Sequence, residues 1–124
     1  MRVIIDTIPH GEQRYATVGD YFTDDNGAMR ILVSDLGNDD YIALVAIHEL
    51  VEYVLVRKRG IAEEAITKFD MAFEEAGHDG EPGDDPNAPY QNEHCIATAV
   101  ERMICAALNV KWKDYESACD GVMT

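Results

Sequence analysis

Basic residues are scarce in this chain. Against 24 Asp and Glu stand only 10 Lys and Arg, a formal net charge of −14 over 124 residues. Every phosphate contact needs a cationic partner, so this deficit excludes nonspecific binding to nucleic-acid backbones and to anionic membranes. Cysteine is scarce as well. Cys95, Cys105 and Cys119 are odd in number, lack a close pair and form no CxxC. That argues against a disulfide framework and for a reducing cytosol, with the three thiols expected as buried small hydrophobes. The longest apolar stretch, around Ile42 to Ile47, is far too short to span a bilayer. The opening MRVIIDTIPHGEQ lacks the apolar core and small-residue cleavage site of a signal peptide. The expected location is the cytoplasm.

What is present is an ordinary globular balance, 47% apolar and 27% charged, enough for one domain over residues 1–124. The β-branched run Val3 to Ile5 reads as a strand, stopped by the segment around Pro9, and Arg14 to Val18 as a second strand before a Gly19-Asp20 turn. Tyr21 to Thr23 and Met29 to Val33 flank Asp24-Asp25-Asn26-Gly27, whose Asn-Gly tolerates positive φ and signals a hairpin. The N-terminal third therefore predicts a small, largely antiparallel sheet, followed by three to four helices: an α+β chain.

The central helix is the clearest element. Asn38, Asp39 and Asp40 supply cap oxygens and negative charge at its start; Arg57, Lys58 and Arg59 supply positive charge at its end, before Gly60. A second helix carries Ala62, Ala65, Ile66, Phe69, Ala72 and Phe73 at helical spacing and ends near Gly77. Gly77 to Pro89 is turn chemistry throughout, and a loop of this length in so small a domain is functional or mobile. Asn92 is expected to cap a third helix to about Asn109, with Ile96, Ala99, Val100, Met103, Ile104 and Ala107 as its core stripe. Trp112 to Ala118 reads as a short last helix, with a frayed tail beyond Cys119.

The chemistry lies on the two long helices. His48 and Glu52 stand four apart, one turn from each other, on a face otherwise made by Tyr41, Leu44, Val45, Leu55 and Val56. A carboxylate there is costly unless a metal, a cation or several donors compensate it. On the third helix His94 shares a face with Ala97, Thr98 and Glu101. If the helices pack antiparallel or crossed, His48, Glu52, His94 and Glu101 converge on one divalent ion. Zinc accepts such nitrogen and oxygen ligands, and two carboxylates keep manganese and iron open. His10 and His78 sit in turns and receive no role. The acidic residues Asp79, Glu81, Asp84 and Asp85 lack the spacing of a calcium-binding loop.

A small sheet followed by His48-Glu49-Leu50-Val51-Glu52 resembles the core of the zincins, whose helix reads H-E-x-x-H. The resemblance covers roughly residues 28 to 59. The chain is also similar to short phage and prophage proteins that pair such a helix with a later segment like Glu93-His94-Cys95-Ile96-Ala97-Thr98-Ala99-Val100-Glu101. The resemblance implies His48 as first metal ligand, Glu49 as the general base that activates water, and His94 as the downstream ligand. It implies a metal-dependent, peptidase-like hydrolase whose cleft borders an edge strand, with Met29 to Val33 as the strand available. Glu52 stands where zincins carry the second His, and a carboxylate ligand makes zinc a weaker Lewis acid.

Two other classes remain open. One is a noncatalytic acidic binding module, a DNA mimic or an inhibitor of a host protein, that meets a basic partner with its charge. The other is a nucleotide hydrolase holding magnesium on helix carboxylates. For that, Glu49 and Glu52 find only Glu101 opposite them, and the strand-rich N-terminus is a poor match.

Overall fold

The computed structural model describes residues Met1–Thr124. Three strands, β1 (Val3–Ile8), β2 (Gly19–Thr23) and β3 (Met29–Ser34), precede four helices, α1 (Asp39–Lys58), α2 (Glu63–Glu75), α3 (Gln91–Ala107) and α4 (Trp112–Met123). The arrangement is α+β. No helix is long and apolar enough to cross a membrane.

The β2–β3 hairpin is antiparallel, with Tyr21 opposite Ile31. Asp24 organises its turn by accepting hydrogen bonds from the Asn26 and Ala28 amides. β1 departs from expectation: it lies on the other edge of β3 and runs parallel to it, Ile5 opposite Ile31, so the sheet is mixed in the order β1-β3-β2. The chain must therefore cross the end of β3 between β1 and β2. Residues 9–18 make that crossing and form no strand, because both edges of β3 are already taken. Gln13 donates to Leu32 O and Ser34 Oγ, His10 Nδ1 meets Ser34 Oγ, and Arg14 grips Asp20 through two nitrogens at 2.7 and 2.9 Å. Gly19 and Asp20 belong to β2 and not to a turn.

Alternation along β3 buries Met29, Ile31 and Val33 against α1, where Leu44, Val45 and Tyr53 meet them in the main core. α1 starts on the Asn38 side chain, which accepts from the Tyr41 amide. It ends in a Schellman pair, Ile61 N donating to Val56 O and Gly60 N to Arg57 O, which folds Ile61 back into a second cluster with Val56, Ile66 and Tyr90.

α3 packs antiparallel along α1, His48 meeting Glu101 midway along both helices and Arg59, at the end of α1, pairing with buried Glu93 near the start of α3. Its buried face is not the expected apolar stripe. Glu93, His94, Ala97, Glu101 and Cys105 point inward, while Ile96 and Met103 are exposed. The polar groups of α1 face α3, so hydrogen bonding and not apolar area fixes the rotation of this helix. α3 begins at Gln91, and Asn92 does not cap it. α4 continues to Met123 where a frayed tail was expected. Of the cysteines, Cys105 is buried and Cys119 partly so, but Cys95 is exposed, a consequence of the same rotation.

Candidate metal centre

α1 places His48 and Glu52 one turn apart, and α3 brings His94 against them. Three ligand atoms meet: His48 Nε2 lies 3.1 Å from Glu52 Oε2 and 3.2 Å from His94 Nδ1, and His94 Nδ1 lies 2.9 Å from Glu52 Oε2. Donors about 2.0–2.1 Å from one ion sit about 3.0–3.4 Å apart, so this triangle has the edge lengths of a coordination shell. All three side chains are buried.

The outward atoms of the triad are held as well. Glu101 Oε1 lies 2.7 Å from His48 Nδ1, and Tyr115 OH donates to Glu101 Oε2 at 2.6 Å. An ionised carboxylate only accepts, so His48 carries its proton on Nδ1 and aims the Nε2 lone pair inward. Tyr21 OH donates to Glu52 Oε1 at 2.7 Å, leaving Oε2 for the centre. Glu101, expected among the ligands, thus stands behind His48 as its orienting carboxylate.

Charge follows this geometry. Burial opposes a charged His48, yet the hydrogen bonds to Glu101 and Glu52 prevail and raise it to about 11. Burial opposes a charged His94 in the same way, and Glu52 and Glu81 outweigh it, raising it to about 10. Burial pushes the Glu52 carboxyl up, but its hydrogen bonds from His48 and His94 bring it down to about 2. Two fully charged imidazoles, however, would set two N–H groups face to face across 3.2 Å. Two neutral ones protonated on their outer nitrogens would set two lone pairs against a carboxylate oxygen. A cation shared among the three atoms resolves the conflict. A proton serves in the metal-free protein, and the donor set of two imidazoles and one carboxylate fits zinc, with manganese and iron also accommodated.

Around this centre opens a cleft of about 1070 Å³, lined by β2, the 14–18 segment, α2 and the Gly80–Asp84 turn. Glu49 lies on its wall against Gly19, where an added Cβ would sit 2.7 Å from Glu49 Oε1. Burial, then repulsion from Glu52 and Asp20, holds the Glu49 carboxyl well above the ordinary range, against the attraction of His48 and His94. Across the cleft Asp70 accepts from Tyr15 at 3.0 Å and from Tyr90.

The loop from Gly77 to Pro89 closes over His94. Its 3-10 turn, Pro82–Asp84, lays Gly83 flat on the imidazole, where a Cβ would fall 2.4 Å from His94 Cγ. Only glycine permits this approach. The turn brings Glu81 Oε2 and Asp84 Oδ1 each to 3.2 Å from His94 Nε2. Sequence reasoning passed over Glu81, Asp84, Tyr21 and Tyr115; the one available signal was the density of acids and glycines in a long loop. His10 fastens the crossover and His78 packs on Phe73, both away from the centre. Comparison with known proteins finds no match among family models, curated proteins or solved structures.

Proposed function

We propose that the chain is a zincin-like metalloprotein of the phage and prophage type, holding a divalent cation, zinc first, on His48, Glu52 and His94. The observation that carries this reading is the convergence of three buried ligand atoms whose outer partners, Glu101 and Tyr21, are already arranged to aim them inward. Buried clusters of this kind without a central cation leave like groups opposed.

The cleft supports a hydrolytic reading, with a peptide-like carbonyl as substrate. A bound divalent cation supplies positive charge that polarises a carbonyl and makes water more acidic. Glu49, beside the triad on the cleft wall, would in its ionised form take the proton from the attacking water and return it to the leaving group; burial raises its carboxyl and so makes that ionised form a stronger base. Glu52 as a ligand weakens the cation's pull on water relative to a third imidazole, which fits a slow hydrolase. An extended substrate would lie along β2, the strand whose free edge borders the cleft. Met29 to Val33, expected in that role, is the central strand and has no free edge.

Metal analysis of protein purified without a metal-affinity tag tests the centre, and Glu49→Gln tests the chemistry. Hydrolysis of a peptide library by the zinc-loaded protein should fall at least about 100-fold in Glu49→Gln with zinc content unchanged. Undiminished hydrolysis in that variant would remove Glu49 from the mechanism. A wild type that neither contains nor takes up metal would leave the acidic surface, with a basic protein partner, as the better account.

A further inference from the structure

His94 has a second side. Its side chain is only 6% exposed, and its Nε2 is buried with no hydrogen-bond partner. Glu81 Oε2 and Asp84 Oδ1 nevertheless flank that nitrogen, each at 3.2 Å and neither in line to take its proton. An orphaned buried nitrogen is costly, and two carboxylates beside it go unused as acceptors. These distances are again those between ligands of one ion, and the three atoms form a second group able to hold a cation.

We propose that Glu81, Asp84 and His94 Nε2 form an outer divalent-cation site, making the centre a two-cation assembly with the His94 imidazole as the bridge. The inference rests on the inner site, since His94 serves both. The inner ligands are buried side chains, whereas the Glu81 and Asp84 side chains are 65% and 63% exposed, so the outer cation keeps more water ligands and exchanges more readily. With a cation on each ring nitrogen, both lone pairs form coordinate bonds and the single proton of the neutral ring passes to solvent. Occupancy of the outer position fastens the Pro82–Asp84 turn onto α3, and so couples closure of this side of the cleft to cation binding.

Zinc chloride titrated into metal-free wild type and into the Glu81→Gln/Asp84→Asn double variant, followed by calorimetry and metal analysis, tests this. Both substituted side chains are largely exposed, so the variant folds, as its circular dichroism should show. The expected result is two equivalents in the wild type, one tight and one weaker, and only the tight one in the variant. Copper(II) filling both positions should give an electron-spin resonance signal of two coupled ions that the variant lacks. A single equivalent in both proteins would overturn the outer site and leave the inner one standing. Zinc in the wild type but none in the variant would mean one cation on the outer carboxylates, and would overturn the two-cation arrangement. No zinc in either would remove both sites together.

Discussion

At the scale of single residues, the proposed centre depends on atoms that would never touch its cation. Glu101 fixes the tautomer of His48, and Tyr115 fixes Glu101. Orienting partners of this kind change metal affinity by about 10–100-fold when removed. Glu101→Gln keeps the shape and loses the charge, so its zinc dissociation constant should rise within that range while circular dichroism stays the same. An unchanged constant would show that His48 needs no carboxylate behind it. The sequence placed His48, Glu52 and His94 together because helical spacing and the cost of buried charge are local rules. It misplaced Glu101, since a carboxylate two turns from His94 reads as a ligand until the crossing of the helices is known. Glu81 and Asp84 reach His94 only through the approach of Gly83, and no spacing rule encodes that contact.

At the scale of elements, the caps of α1, the β2–β3 hairpin and the span of α2 were legible, because turn residues, charge placement and apolar period agree there. α3 was read with the wrong face inward: Ile96 and Met103 form an apolar stripe, but the helix buries His94 and Glu101 against the polar face of α1. The parallel pairing of β1 was equally hidden, being set by the crossover and not by β1 itself. α2 is fastened by Asp70, which receives hydroxyls from Tyr15 and Tyr90. Burial raises its carboxyl to about 6 against those two hydrogen bonds, with Glu52 and Asp20 adding to the rise. A carboxyl raised on folding contributes stability that is fully present below its unfolded value, near 4, and is lost as pH rises through 6. Asp70→Asn should therefore gain on the wild type as pH rises from 4 to 7, by up to about 3 kcal/mol. Thermal melts of the two metal-free proteins across that range measure it, and a difference that stays constant with pH would contradict the account.

At the scale of the whole molecule, a net charge of −14 would draw cations toward the cleft where we propose that one binds. The same groups make binding a contest with protons. His48 and His94, raised to about 11 and 10, hold at least one proton on their facing nitrogens in the metal-free protein at neutral pH, whereas Glu52, at about 2, is already ionised. A cation must expel protons from the imidazoles, so zinc affinity should rise about 10–100-fold per pH unit between pH 6 and 8, with matching proton release in calorimetry. Affinity independent of pH would mean that the imidazoles are not the ligands. Zinc that binds the folded chain should also raise its melting temperature, and go on raising it with the logarithm of free zinc after the site is full.

The most direct test is metal content of the protein as purified without a metal-affinity tag, wild type beside His48→Ala. One tightly held equivalent of zinc, manganese or iron in the wild type and none in the variant is the result predicted by a buried centre on His48, Glu52 and His94. A wild type without metal that also binds none on addition, or a His48→Ala protein that keeps its equivalent, would contradict it.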